Sequence, residues 1–280
     1  MELKRAETAE AACSRGSPGG ETAFWRKKFL IVVTGASGGI GRGIAASFAE
    51  HVAKGSLLVI TGRNTAGLEE TKRIIAALGR EVNVSVETCD HSRALFRDYQ
   101  DLLERASARL PDPDRVVLVH NAATIGNCSD YAVSYDDERA IGDYYRLNLT
   151  SVMTLTAAFL RRYDSDSGPT RTIVNVSSIG GIMAVPKVGL YCTGKAAREM
   201  FMRVVAAENP SVTVCSYDPG AVATAMLKEL FGSQYEGTKL RYKVKTGTVI
   251  SPEVTAGRLI RILEHGNFKS GDHVRHSEAP

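Results

Sequence analysis

Residues 29–33, Phe-Leu-Ile-Val-Val, are an unbroken apolar run that leads directly into Thr34-Gly35-Ala36-Ser37-Gly38-Gly39-Ile40-Gly41. An apolar run without alternation is what a strand buried on both faces requires, and such strands belong to parallel sheets covered by helices. The glycines place a tight turn between that strand and a helix expected from about Gly39 to Val52. Backbone N–H groups in such a turn can approach a pyrophosphate at the helix N-terminus, where the dipole favours negative charge. A bare structural turn is the plainer reading of any glycine cluster; the strand-turn-helix context favours a dinucleotide. Gly35, Ala36, Ser37, Gly38, Gly39, Ile40 and Gly41 are therefore candidate cofactor-binding residues.

The second expected strand, Ser56 to Thr61, ends in Thr61-Gly62-Arg63-Asn64. An NAD site places an acid at this distance from the glycines to hold the ribose hydroxyls. Arg63 stands there instead, and a guanidinium can clamp a 2′-phosphate bidentately, which favours NADPH/NADP+ over the unphosphorylated cofactor. A solvated strand-end arginine is the alternative. Arg63 and Asn64 join the cofactor candidates.

After a helix expected from about Thr65 to Leu78, Val82, Val84 and Val86 alternate with polar residues, the pattern of a half-exposed strand at a sheet edge. Asp90, just beyond it, is placed either to accept from an adenine amine or to cap the next helix. Arg115 to His120 reads as a buried strand entering Asn121-Ala122-Ala123, small residues that let a cofactor pass close; Asn121 is a further cofactor candidate. Strands are also expected over Arg171 to Ser177, Ser211 to Tyr217 and, briefly, Gly271 to Val274. Long helices are expected over Ile141 to Arg162 and Tyr191 to Glu208, and a last one from Ser251-Pro252-Glu253 to about His265. The two long helices carry second apolar faces (Val152, Leu155, Phe159; Met200, Phe201, Val204) that predict a partner helix or a homodimer. Between Ala221 and Thr248, Met226, Leu227, Leu230 and Phe231 suggest short lid helices, with Val222 and Thr224 assigned to the cofactor.

Chemistry concentrates between Ser177 and Lys195. Tyr191 and Lys195, four apart on an expected helix, share a face. Two charges ~4 Å apart at an effective dielectric of ~20 interact by roughly 4 kcal/mol, about three units off a phenol's ordinary pKa of ~10. That would bring Tyr191 close to neutral pH, where general acid work is efficient. The spacing alone is weak, because Tyr235 and Lys239 repeat it; but Val222 precedes Tyr235 by the interval that separates Ser178 from Tyr191, so one copy alone has a hydroxyl partner.

Composition excludes several classes. At 280 residues, 44% hydrophobic and 24% charged, the chain fits one α/β domain, expected over 25–280, with residues 1–24 a polar, disordered tail. The formal charge of +4 is spread without a Lys/Arg block, which argues against nucleic acid. No apolar run suits a membrane span and no hydrophobic leader is evident, so a cytoplasmic protein is expected. The five cysteines are scattered without a Cys-x-x-Cys pair, pointing to neither disulfides nor a metal site, and the sequons at Asn83, Asn127, Asn148 and Asn175 are read as unused. The basic cluster Lys239, Arg241, Lys243 and Lys245 reads as a solvated face.

Taken in order, Thr34-Gly35-x-x-x-Gly39-x-Gly41, Asn121-Ala122-Ala123, Asn148, Ser178, Tyr191-x-x-x-Lys195 and Pro219-Gly220 resemble the short-chain dehydrogenase/reductase family over about residues 29 to 275. The resemblance implies a Rossmann-type doubly wound parallel sheet in a single domain that also carries the site for a small-molecule carbonyl substrate. It further implies that Ser178 orients the carbonyl, that Tyr191 donates the proton, and that Lys195 lowers the phenol's pKa and holds the nicotinamide ribose. Asn148 would support a proton-relay water, and Gly220 would lie against the substrate. Thr172 to Ser178, Leu147 to Ser151, Tyr191 to Arg198 and Phe268 to Val274 look like a branch of the family that reduces pterin side-chain ketones with NADPH in tetrahydrobiopterin synthesis. The chain departs from that branch at Arg275, where a pterin-anchoring aspartate is expected, with Asp272 the nearest carboxylate to replace it. Ala223 and Ala225 stand for acids, Gly38 for a basic residue and Ala123 for a glycine. The alternatives are a reductase of another small aldehyde or ketone and, in a different class, an NADP-binding sensor without turnover.

Overall fold

The computed structural model describes residues 24–164, 167–232 and 249–280. The tail expected over 1–24, except Phe24, lies outside the described residues, as do Tyr235, Lys239 and the basic cluster. Seven strands form one parallel sheet: β1 (Phe29–Thr34), β2 (Leu57–Gly62), β3 (Asn83–Thr88), β4 (Arg115–His120), β5 (Thr170–Val176), β6 (Val212–Asp218) and β7 (His273–Arg275). Their order is β3-β2-β1-β4-β5-β6-β7, with every neighbouring pair parallel. This is the doubly wound sheet, and its strand order reverses between β1 and β4, where such sheets open a crevice.

The helices are α1 (Gly39–His51), α2 (Thr65–Ala77), α3 (Phe96–Arg109), α4 (Glu138–Tyr145), α5 (Ser151–Arg162), α6 (Gly189–Glu208), α7 (Ala225–Gly232) and α8 (Pro252–His265). Because side chains alternate along a strand, β1 sends Phe29, Ile31 and Val33 to one face, where they meet Ile44, Phe48 and Leu259 of α1 and α8. Leu30 and Val32 go to the other, against Leu103 of α3, Phe159 of α5 and Met202 of α6. β1 is buried at every position, as its uninterrupted run requires, whereas β3 is half exposed at the edge. Trp25, stacked on Phe29, closes the first core layer.

Three sequence expectations are refined or settled. The helix expected over Ile141 to Arg162 is α4 and α5 joined by one π-helical turn, Arg146–Thr150, which widens the backbone around Asn148. Helix α3, expected only as the unplaced helix that Asp90 could cap, carries Tyr99, Leu102, Leu103 and Ala106 at the spacing of a buried stripe. It also settles the third. Of the two covers expected for Val152, Leu155 and Phe159, a partner helix or a second subunit, the partner helix is the one present: α3 packs against α5, and all three side chains are buried within the chain. The surface left for a second subunit is smaller, with Met153, Met200 and Val204 exposed.

The turn after β1 depends on Gly41, where an added Cβ would run into Asn121 Nδ2 and the Gly35 carbonyl oxygen. Neither is the end of a flexible chain, because Asn121 is tied to the turn's own carbonyls. Gly41→Ala is expected to destabilise the protein by about 1–3 kcal/mol, read as a lower midpoint in urea denaturation with unchanged slope.

Candidate active site

A cleft crosses the carboxyl ends of β1 and β4, and its first compartment, about 1060 Å³, is lined by Gly35, Ser37, Gly38, Gly39, Ile40, Arg63, Asn64, Asn121 and Thr224. Side chains on the protein side hold its floor. Asn121 Nδ2 donates to the carbonyls of Thr34 (2.9 Å) and Gly35 (3.0 Å). Thr71 Oγ1 donates to the Ala36 carbonyl at 2.8 Å. Arg42 Nη2 donates to the Ser37 carbonyl at 2.7 Å and, more weakly, to that of Gly67 at 3.2 Å. Three successive carbonyls of the turn are thus drawn away from the cleft, while a Cβ at Gly38 would meet only open space. Such a turn at the N-terminus of α1 fits a pyrophosphate.

Not every cofactor candidate faces this compartment. Ala36 is buried, its N–H donating to the Thr61 carbonyl at 3.0 Å, and Gly41 serves packing. Asn64 lines the cleft, but its Oδ1 accepts from Gly67 N at 3.0 Å and caps α2. Arg63 stands exposed at the mouth. Asp90 opens on a neighbouring groove instead, its Oδ1 accepting from Ser92 Oγ (2.6 Å) and Ser92 N (3.0 Å). Those bonds, the side-chain one first, hold its carboxyl below the ordinary value. It does not cap α3, whose first turn is closed by Asp98 accepting from Leu95 N. The flanking Cys89 and His91 reach the compartment in its place. His91 lies 2.7 Å from Thr61 Oγ1 and 3.1 Å from Tyr99 Oη, and burial lowers its pKa to about 4, so it is neutral in the physiological range.

The second compartment, about 830 Å³, shares Ile40, Asn121, Ala123, Thr224 and Met226 with the first, so the two are one continuous cleft. Ser178, Tyr191 and Lys195 converge here with Gly220, and Val222, expected at the cofactor, lines this part. Ser178 follows β5, and its Oγ accepts from Gly180 N at 3.1 Å. Tyr191 and Lys195 lie one turn apart on α6, and Lys195 Nζ donates to the Val176 carbonyl at 2.7 Å. Gly220 has φ of 73°, and a side chain there would strike the ring of His276. Asn148 stands behind the cleft: its Oδ1 accepts from Thr124 N and its Nδ2 donates to the Tyr144 carbonyl, both at 3.0 Å.

The expected acid phenol is not what this arrangement provides. Burial raises Tyr191 to about 12, and the hydrogen bond with Ser178 offsets only part of that rise. Lys195 Nζ is 5.6 Å from the phenol ring's centre and is bonded to a carbonyl rather than to the hydroxyl. Its own pKa is driven well below the usual ammonium value by burial and then by Arg198. Desolvation outweighs the charge–charge attraction on which the sequence estimate rests.

Sequence reasoning passed over two features. The outer wall of the second compartment is apolar, built from Ile125, Val188 and Leu230 with Val185, Met226 and Leu227 against them; the sequence marks only the α7 residues among these, because the others sit in loops without periodicity. One turn beyond Lys195 on α6, Arg198 is fully buried, its Nε donating to Asn175 Oδ1 and its Nη2 to the His120 carbonyl, both at 2.8 Å. Neither Arg275 nor Asp272 lines the cleft; Asp272 Oδ2 accepts from Lys269 N at 2.9 Å and closes a turn. Among the described residues no cluster of His, Cys, Asp and Glu suits a metal ion.

A family model described as short chain dehydrogenase matches residues 30–234. Sepiapterin reductase of Mus musculus is 34% identical over 252 residues, spanning 88% of this chain and 95% of the relative. Benzil reductase ((S)-benzoin forming) of Bacillus subtilis (strain 168) is 28% identical over 250 residues, spanning 85% and 94%. Among solved structures, a short chain dehydrogenase from Shigella flexneri 2a in complex with NADP superposes with a TM-score of 0.73 at 25% identity, covering 90% of this chain and 98% of that one.

Because burial dominates, the free protein is expected to show no Tyr191 phenolate below about pH 10. The difference between the ultraviolet absorbance titrations of the parent and Tyr191→Phe measures this directly, and a phenolate step near neutrality would contradict it.

Proposed function

The chain belongs to the short chain dehydrogenase family and is an oxidoreductase of carbonyl or hydroxyl groups; from that premise we propose that it is an NADPH-dependent carbonyl reductase, similar to sepiapterin reductase. The observation that carries the proposal is the convergence of Ser178, Tyr191 and Lys195 in a compartment continuous with the glycine turn. Bound NADPH would supply the hydride. The turn over Gly35 to Ile40 would hold its pyrophosphate, and Arg63 its 2′-phosphate, no carboxylate lining that compartment among the described residues.

The chain's own residues then orient and protonate. Ser178 Oγ holds the substrate carbonyl against the Tyr191 hydroxyl. Tyr191 keeps its proton at neutral pH, as its raised pKa requires, and releases it to the alkoxide oxygen, a stronger base than phenolate. Lys195, anchored on the Val176 carbonyl, would stabilise the phenolate as it forms and hold the nicotinamide ribose of a bound cofactor. Asn148, locked in the π turn between Thr124 and Tyr144, would steady the path by which Tyr191 is reprotonated.

For the substrate, the sepiapterin reductase relatives support a pterin side-chain ketone in tetrahydrobiopterin synthesis. The apolar wall of Ile125, Val188 and Leu230 supports a second reading, a compact apolar ketone, which the benzil reductase relative shares. A homodimer joined across Met153, Met200 and Val204 and a cytoplasmic location belong to the same proposal. No described helix is long and apolar enough to cross a membrane. A non-catalytic sensor would have no use for the three converged side chains.

Purified protein with NADPH, tested against sepiapterin and a phenyl diketone by loss of reduced-nicotinamide absorbance, separates the substrate readings; turnover with neither overturns the proposal. Tyr191→Phe is expected to lower turnover roughly 10²- to 10⁴-fold while leaving NADPH binding intact. Arg63→Ala is expected to weaken NADPH about fivefold or more and leave NADH nearly unchanged, as measured by fluorescence titration of both cofactors; equal losses would remove Arg63 from this role.

A further inference from the structure

Behind Ser177, Pro219 and Gly220 lies a set of ionisable groups that the reaction above does not use. Glu199 of α6 accepts a hydrogen bond from the hydroxyl of Ser177, a residue that lines the carbonyl compartment. The same carboxylate oxygen is 2.8 Å from His273 Nδ1, and His273 Nε2 is 3.7 Å from Asp218 Oδ2. The other oxygen of Asp218 accepts from Gly220 N at 3.0 Å, fixing the turn Asp218-Pro219-Gly220, whose last two residues also line the compartment. The side chains of His273, Glu199 and Asp218 are only 9%, 3% and 8% exposed. Two buried carboxylates therefore share one imidazole, and each would be strongly destabilising without it. That imidazole is carried by β7, whose ladder with β6 is only three residue pairs long.

We propose that His273 is a positioning residue for the carbonyl substrate: held between Glu199 and Asp218, it fixes the Ser177 hydroxyl through one carboxylate and the Pro219–Gly220 wall through the other. The assignment rests on the carbonyl-reductase reading of that compartment. Burial alone would strip the ring of its proton, but the nearby carboxylate of Asp218 and the hydrogen bond to Glu199 outweigh it and push the imidazolium up to about 9. Asp218 stays below the ordinary carboxyl value although burial opposes this, because His273 and Gly220 N favour its charge. The negative charge of Asp218 also works against ionisation of Tyr191, so the imidazolium that offsets it keeps the phenol a better acid.

Glu199 and Asp218 are the charges that act on His273 itself. The other titratable groups coupled to those two carboxylates are Lys195 and Arg198 on α6, Cys215 and Tyr217 on β6, Tyr191, and His276 after β7, with Arg258 of α8 acting on His276. Burial and Arg258 lower His276, which keeps it from replacing His273 as the cation. Since the pKa of His273 is raised on folding, its contribution is complete below the ordinary value of 6.5 and is lost as pH rises through about 9.

The test compares the parent, His273→Gln, Glu199→Gln and Ser177→Ala in steady-state kinetics across pH, with NADPH titration and thermal melting alongside. His273→Gln is expected to lower kcat/KM for whichever carbonyl the parent reduces by about tenfold, with NADPH affinity unchanged within about twofold. The parent's loss of kcat/KM near pH 9 should vanish from that variant's profile. Ser177→Ala, which cuts the link to the cleft without touching β7, should lower kcat/KM in the same direction, and it carries the test with Glu199→Gln if His273→Gln does not fold. Parent-like kcat/KM and pH profile in the variants overturn the proposal, as does loss of NADPH affinity and ketone turnover by one common factor. If the parent itself reduces no carbonyl compound, the reductase reading fails and the assignment with it; a failure specific to His273 shows up only against an active parent.

Discussion

The join between β1 and β4 is the constraint on which the rest of this structure depends. The two strands lie side by side and parallel, and beyond their ends Thr34 Oγ1 accepts from the backbone N–H groups of Asn121 and Ala122 while Asn121 returns its amide to the carbonyls of Thr34 and Gly35. Each turn is thus held by the other. Because a parallel sheet needs a crossover for every strand, and those leaving β1 and β4 run to opposite faces, no loop covers this junction and a cleft is left there. The glycine turn supplies its floor, and the segments after β5 and β6 bring Ser178 and Gly220 to its far end.

The far end is governed by desolvation. Lys195 and Arg198 are both buried, with backbone carbonyls and an asparagine as their direct partners. Burial lowers both cations, Arg198 to about 10, and raises the Tyr191 phenol. A pairwise Coulomb argument made on sequence spacing sees the attraction and omits this larger effect. The resulting phenol is a reluctant acid that holds its proton at neutral pH, as the proposed donor to a forming alkoxide must.

Much of this was legible in the residues. The strands follow from uninterrupted apolar runs, and the edge position of β3 from the alternation of Val82, Val84 and Val86, since period and burial are set by backbone geometry. Gly38 and Gly39, Arg63, Ser178, Tyr191 and Lys195 all face the cleft as their local context requires. What failed was tertiary. Helix α3 has polar residues around a narrow stripe that leaves its bounds unmarked, so the α5 stripe of Val152, Leu155 and Phe159 could be given to a partner helix or to a second subunit alike. Asp90 sits one residue out of phase with Cys89 and His91, and the side of the chain on which a loop residue emerges has no periodic signature. The link from Glu199 to His273 joins residues far apart in the chain through a short edge strand, which composition and spacing do not reveal.

The apolar cluster of Ile125, Val188 and Leu230 is separate from the two layers that sandwich the sheet. A change of side chain in those layers disturbs the packing on which folding depends, whereas a change in this cluster reshapes a surface that already borders empty space. Selection can therefore alter what this fold acts upon without first spending its stability, and the loops bearing Ile125 and Val188 are where descendants of one ancestral scaffold would be expected to diverge soonest.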